Sequence, residues 1–310
     1  MPLPVSRITV LRGGAVGDFV LTLPALRTLE AAFPEAELTL VGNLEILRLA
    51  PRHRHRDHNA ATLAPMYVSG RPLPEAAKAL FEQAQLTIAY TTDTGGPFAA
   101  NLRHLAGGRV VLHDPRPAPG RHACDHLLDA LNGLDLGMAA DPHPRLEPAA
   151  IDRGFADARL AADARPLALL HPGSGGPRKR WPADRFGALA ARLAGRGYRA
   201  GVVTGPAECE LELELSGAQL QMLRPPDLNN LAGLLATADV YVGNDSGPTH
   251  MAAALGVPTV ALFGPTDPLV WAPRGRHVSV VRSVAGDMAS LLPAQVEAAV
   301  AARIAKIDHT

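Results

Sequence analysis

The chain has 310 residues, 47% of them hydrophobic and 19% charged, which is long for one domain and comfortable for two. Its formal net charge is zero and only 4% of its residues are aromatic. That excludes a general polyanion binder and a stacking platform for single-stranded nucleic acid, so no nucleic-acid partner is expected.

Two cysteines, Cys124 and Cys209, lie far apart and form neither a disulfide framework nor a zinc pattern. They read as reduced thiols of a cytoplasmic protein. No apolar run approaches the ~20 residues of a membrane helix, and the apolar stretch 8–11 is too short for a signal-peptide core.

In chain order, residues 8–11 are β-branched and apolar, and Gly13, Gly14 and Gly17 follow as a turn. Pro24 suits a first helical turn, and Leu26, Leu29 and Phe33 recur at the spacing of one buried helical face. Pro34 stops that helix, and 37–41 reads as a second strand, completing one βαβ unit. The His- and Arg-rich stretch 51–59, with His53, His55 and His58, reads as a loop whose spacings match no metal site. Strands are expected at 86–90 and 109–112, and an inter-domain linker near 140–165.

The second half predicts strands at 167–170, 198–204, 240–242 and 259–263. Helices are expected after Pro182, over 207–216, from the Asp227 cap to 237, over 248–255 and over 291–307. Strands alternating with helices predict parallel sheets covered on both faces. Such sheets bind ligands at the C-terminal ends of their strands.

Four groups of unusual residues fall at those ends. The first, Arg12 to Asp18, fits the dinucleotide fingerprint at Gly14 and Gly17 but has Arg12 at its first glycine position. The second strand ends Val41-Gly42-Asn43 without an acid, so hydride transfer is disfavoured. Asp18 is then either a general base or a cap of the following helix. The second group, His171 to Trp181, joins small residues, including Ser174, to the cations Arg178, Lys179 and Arg180; it is not a P-loop, and reads either as a phosphate-contacting loop or as a solvated basic one. The third, Gly243 to His250, opens a helix, where unsatisfied N–H groups favour an anion. His250 there is either a phosphate contact or a satisfied, partly buried histidine. The fourth is Glu208, placed to accept from a ribose diol or only to complement a helix dipole.

The opening ITVLRGGAVGDFVLTLPALRTLEAAFPEAELTLVG resembles the start of glycosyltransferase family 9, the ADP-heptose:lipopolysaccharide heptosyltransferases. The blocks LHPGSGGPRKRWPADRFGALAARLAGRGYRAGVVTGPAE and VGNDSGPTHMAAALGVPTVALFGPTDPLVW are more similar still. The resemblance implies an α/β GT-B fold, with two Rossmann-like doubly wound domains facing a cleft. It places an acceptor-side domain at 1–155, a nucleotide-sugar domain at 156–290, and a tail helix at 291–310 that returns to the N-terminal domain.

It also implies an inverting transfer of heptose from ADP-heptose to a glycan or lipopolysaccharide-core acceptor, with no cofactor and no metal. By motif position Asp18 resembles the catalytic base, and Lys179 a donor-phosphate contact. Glu208 matches a ribose contact. Asp245, Ser246, Gly247 and His250 match the block that holds the diphosphate and sugar. Gly17, Ser174 and Arg180 complete the expected substrate-binding set. Relatives often carry R-x-S-S-x-G-D before the base; here Gly13, Gly14 and Ala15 replace the polar residues. Two further readings of the same architecture are a non-enzymatic nucleotide-sugar-binding protein and a sugar-nucleotide epimerase. The expected location is cytoplasmic, at the inner face of the inner membrane, with peripheral membrane contact.

Overall fold

Every apolar run expected as a strand is one in a computed structural model of the protein, which describes residues 5–58, 60–136, 141–147, 150–160, 164–205, 208, 220–284 and 286–305. The chain divides into two units, Met1–Pro142 and His143–Thr310.

The first unit holds β1 (Arg7–Arg12), β2 (Glu37–Gly42), β3 (Arg54–Asp57), β4 (Leu86–Tyr90) and β5 (Arg109–His113). They form one sheet in the order β3-β2-β1-β4-β5, with every neighbouring pair parallel. The order reverses between β1 and β4, so the loops after those two strands flank a switch point. The expected loop at 51–59 contains β3. An edge strand pairs on one side only and tolerates charge on the other, so the polar RHRD segment is admitted. The first helix spans Val16–Ala32 and carries Pro24 inside rather than in its first turn, because it starts at the end of the glycine turn. Leu11, Val41, Phe81, Ala89, Phe98 and Leu102 anchor the core on one face of this sheet.

The second unit holds β6 (Leu167–His171), β7 (Arg199–Val203), β8 (Gln221–Leu223), β9 (Val240–Asn244), β10 (Thr259–Phe263) and β11 (Val278–Arg282). Their order is β11-β10-β9-β6-β7-β8, again with every pair parallel. Counted within the unit this is the dinucleotide-fold order 3-2-1-4-5-6 read backwards, with its switch point between β6 and β9. Both sheets are therefore of the doubly wound, Rossmann-like kind.

Two expectations need correction. The boundary falls at 142/143 rather than 155/156, because much of the supposed linker is tied to the second unit by backbone bonds. Leu146 N–H donates to Ala254 O, Asp152 N–H to Asn229 O, and Asn229 Nδ2 to Ala150 O. The tail helix, Pro293–Ala305, packs into the second unit's own core. Val296 and Val300, spaced i, i+4, join Trp181, Phe186 and Leu193 there. Glu297 pairs with Arg192 and Arg196, and Arg303 Nε donates to Ser279 Oγ. An apolar i, i+4 face needs an apolar surface to cover it, and this sheet supplies one. The expected helix over 207–216, Cys209, and residues 306–310 of the tail lie outside the described residues.

Candidate functional site

In the second unit the two switch-point loops are stapled together by side chains. Asn244, at the end of β9 and fully buried, accepts from the Trp181 N–H at 3.0 Å and donates through Nδ2 to Pro172 O at 2.8 Å. Ser174 Oγ donates to the Asp245 carbonyl at 2.8 Å, and Arg180 donates to Ser174 O. Ser174 and Arg180, both expected to touch substrate, thus also hold the loop in shape. Below them Trp181 is buried against Phe186, with ring centroids 4.9 Å apart, and its indole N–H donates to Leu291 O.

Lys179 Nζ donates to Asp245 Oδ2 at 2.8 Å, and Thr266 Oγ1 donates to the same oxygen at 2.9 Å. Asp245 is 8% exposed while the Lys179 side chain is 36% exposed. The buried carboxylate therefore orients a cation whose side chain stays partly exposed. Beside this pair the Gly247–Ala254 helix begins, with Ser246 as its N-cap residue and Pro248 in its first turn. Its leading N–H groups carry the positive end of the helix dipole. Thr249 Oγ1 donates to Asn244 O, and Ser246 Oγ lies 3.1 Å from Thr249 Oγ1. His250 is buried in the same turn, and its N–H donates to Ser246 O. His171, at the end of β6, is buried with Nδ1 3.4 Å from Ser246 Oγ, and burial pushes its pKa down to about 4. Burial also raises the pKa of Tyr241, whose hydroxyl lies 3.2 Å from Thr249 Oγ1.

The Glu208 carboxylate lies so close over Gly173 that a Cβ there would collide with it, and its Oε2 accepts from the Gly205 N–H at 2.8 Å. Lys179, Asp245, Ser246, Gly247, His250, Ser174 and Arg180 thus gather at one switch point, with Glu208 against the loop that follows β6.

Asp18 and Gly17 sit in the first turn of the Val16–Ala32 helix, at the switch point of the first unit. Gly14 has φ +100°, and a Cβ on it would fall 2.7 Å from Asp18 Oδ2. Only glycine both adopts that backbone and leaves room for the carboxylate. The Ala15 N–H donates to Asp18 Oδ2 at 2.9 Å, so Asp18 does cap its helix. The side chain nevertheless stays 37% exposed, with Oδ1 3.4 Å from Arg12 Nη2. Capping and availability as a base coexist.

Several participants were missed by sequence reasoning. Thr266 follows β10 by a few residues, and applying the strand-end rule to that strand would have found it. Arg12, which breaks the dinucleotide fingerprint, has contacts of its own. Its guanidinium is 8% exposed, donates through Nε to Thr22 Oγ1 at 2.9 Å, and lies 5.8 Å from the Tyr90 ring centroid. Asp93, after β4, caps the Pro97–Leu105 helix by accepting from the Gly96 and Phe98 N–H groups. The histidine stretch carries local ties instead of a site: His53 pairs with Glu30 and His55 Nε2 lies 2.9 Å from Ala50 O.

Comparison with known proteins gives the family and the fold class. The sequence profile described as glycosyltransferase family 9 (heptosyltransferase) matches residues 111–299. Lipopolysaccharide heptosyltransferase 2 of Salmonella typhimurium is 28% identical, over 90% of this chain and 89% of its own length. Lipooligosaccharide heptosyltransferase 2 of Haemophilus influenzae is 32% identical, over 91% of this chain and 90% of its own. The solved structure of E. coli ADP-heptose LPS heptosyltransferase II shares the fold, with a TM-score of 0.79 at 18% identity, covering 97% of this chain and 99% of that one. The chain belongs to glycosyltransferase family 9 and is a glycosyltransferase of the GT-B fold class.

Proposed function

We propose that the enzyme transfers heptose from ADP-heptose, with inversion, to a hydroxyl of a lipopolysaccharide-core acceptor. The observation that carries this reading is the Lys179–Asp245 pair beside the N-terminus of the Gly247–Ala254 helix, at the switch point of the second sheet. A fixed cation and the positive end of a helix dipole together suit a diphosphate, whose negative charge grows as the glycosidic bond breaks. His250 and Ser246 complete the phosphate side. Glu208, over Gly173, accepts from the ribose diol.

Asp18 of the first unit is the general base that takes the proton from the acceptor hydroxyl as it attacks. One oxygen is oriented by the Ala15 N–H, and the carboxylate remains partly open. The relatives named for lipopolysaccharide and lipooligosaccharide support the choice of acceptor. Among the described residues no helix is long and apolar enough to cross a membrane. A lipid-linked acceptor would be reached by peripheral contact at the cytoplasmic face of the inner membrane.

The test combines the enzyme with ADP-heptose and a heptose-accepting core glycolipid. ADP should appear only with acceptor present, and the acceptor mass should rise by one heptose. ADP should raise the melting temperature and UDP and GDP should not. Conversion of the donor sugar without any acceptor would instead identify an epimerase and reject transfer.

A further inference from the structure

Arg12 is placed where stability alone would not put it. It is a nearly buried cation, and burial pulls its pKa below the usual arginine value. It stands against the first turn of the Val16–Ala32 helix, the positive end of that helix's dipole. An apolar side chain of similar volume would avoid both costs. What the guanidinium does there is visible in its contacts. Nε donates to Thr22 Oγ1, and Nη2 donates to the Asp18 carbonyl at 3.3 Å and lies 3.4 Å from Asp18 Oδ1. Thr22 Oγ1 in turn donates to the same Asp18 carbonyl at 2.8 Å. Arg12 therefore grips the backbone and side chain of one residue, directly and through Thr22.

The geometry of the carboxylate is equally specific. A bidentate arginine pair would engage both oxygens at ~2.8 Å and make both weaker proton acceptors. Here Oδ2 is held by the Ala15 N–H, while Oδ1 sees Arg12 at a longer 3.4 Å. The cation steers Oδ1 without consuming it. Arg12 itself is held from behind by the face of Tyr90, whose hydroxyl donates to Leu127 O and so is committed elsewhere.

We infer that Arg12 is a positioning residue for the transfer: through Thr22 and the Asp18 carbonyl it fixes the first helical turn so that Asp18 Oδ1 is presented to the acceptor hydroxyl. The inference rests on Asp18 being the base, and the experiment separates the two claims.

The kinetics of Arg12→Met, Arg12→Lys, Thr22→Val, Asp18→Asn and the Arg12→Met/Asp18→Asn double variant are measured with donor and acceptor at saturation. Arg12→Met should lower kcat about tenfold to a hundredfold, the scale of a slight misplacement of a reacting group. The dissociation constant for ADP, held by the other unit, should be unchanged. Arg12→Lys should recover part of kcat, since it restores the charge without the fork. Thr22→Val should lower kcat in the same direction by a smaller factor, and it and Arg12→Lys carry the test if Arg12→Met does not fold. In the Asp18→Asn background, Arg12→Met should cost almost nothing further, because residues acting through one group do not add. Wild-type kcat in Asp18→Asn overturns the base assignment. A slow Asp18→Asn with wild-type kcat in the Arg12 and Thr22 variants, or an equal Arg12→Met penalty in both backgrounds, overturns the positioning role.

Discussion

His171 is buried in neutral form at the end of β6, and that state should make the second unit sensitive to acid. Its folded pKa is held down at about 4 against an ordinary 6.5, because burial penalises the imidazolium. Between those values the unfolded chain binds a proton that the folded chain refuses. Stability from this residue is therefore fully present above pH 6.5 and is lost as the pH falls toward 4, with no further change below. A gap of about two and a half units, at about 1.4 kcal/mol each, amounts to about 3.5 kcal/mol, of which about 3 kcal/mol is lost by pH 4, where the folded-state group is half protonated. The experiment compares wild type with His171→Asn, which keeps a polar group near the Nδ1 position beside Ser246. Chemical denaturation of both, at intervals from pH 7.5 to pH 4, should give curves whose separation narrows by about 3 kcal/mol across the window. Other titrating groups are common to both proteins and cancel in the difference. Curves that run parallel from pH 7 to pH 4 would refute the neutral, buried state of His171.

Lys179→Met should weaken ADP binding by about tenfold to a hundredfold, the worth of a charge-assisted bond to phosphate, as read by calorimetry. It also leaves the buried Asp245 carboxylate with Thr266 alone, so melting should fall in the same variant. Gly14→Ala should cost about 1–3 kcal/mol for its left-handed backbone, and it should lower kcat because its Cβ displaces Asp18; circular-dichroism melting and ADP-release assays check the two effects. Trp181→Phe removes one of two donors to Leu291 O, which the Arg185 guanidinium still engages, and should destabilise the second unit by about 0.5–1.5 kcal/mol. Hydrogen exchange in the Pro293–Ala305 helix should then accelerate, while the Trp181 backbone bond to Asn244, and ADP affinity with it, should persist.

Much of this protein was legible in one dimension. Apolar runs bounded by glycine and proline locate eight of the strands to within two residues, because a strand buried on both faces must be continuously apolar. Alternation with amphipathic helices then dictates parallel sheets. The candidate site residues were legible too, since polar and glycine-rich stretches between a strand and a helix have few structural reasons to exist. Three strands escaped. The polar β3 and the three-residue β8 lie at sheet edges, where one-sided pairing asks little of the side chains. The third, β11, at the other edge of the second sheet, carries the β-branched run VSVVR, a strand signal of its own.

Folding adds the meeting of residues distant in the chain. Lys179 and Asp245 are 66 positions apart, and Arg12 and Tyr90 come together only because β4 is laid beside β1. No local pattern encodes strand order, so none could say that the loops after β6 and β9 share a switch point or that Thr266 leans on Asp245. The same holds for the tail helix. Its apolar face announces that it must be covered, but two apolar sheets were available. The choice between them rests on the shape around Val296 and Val300 and on Arg192 and Arg196 facing Glu297, which exist only once the second sheet has formed.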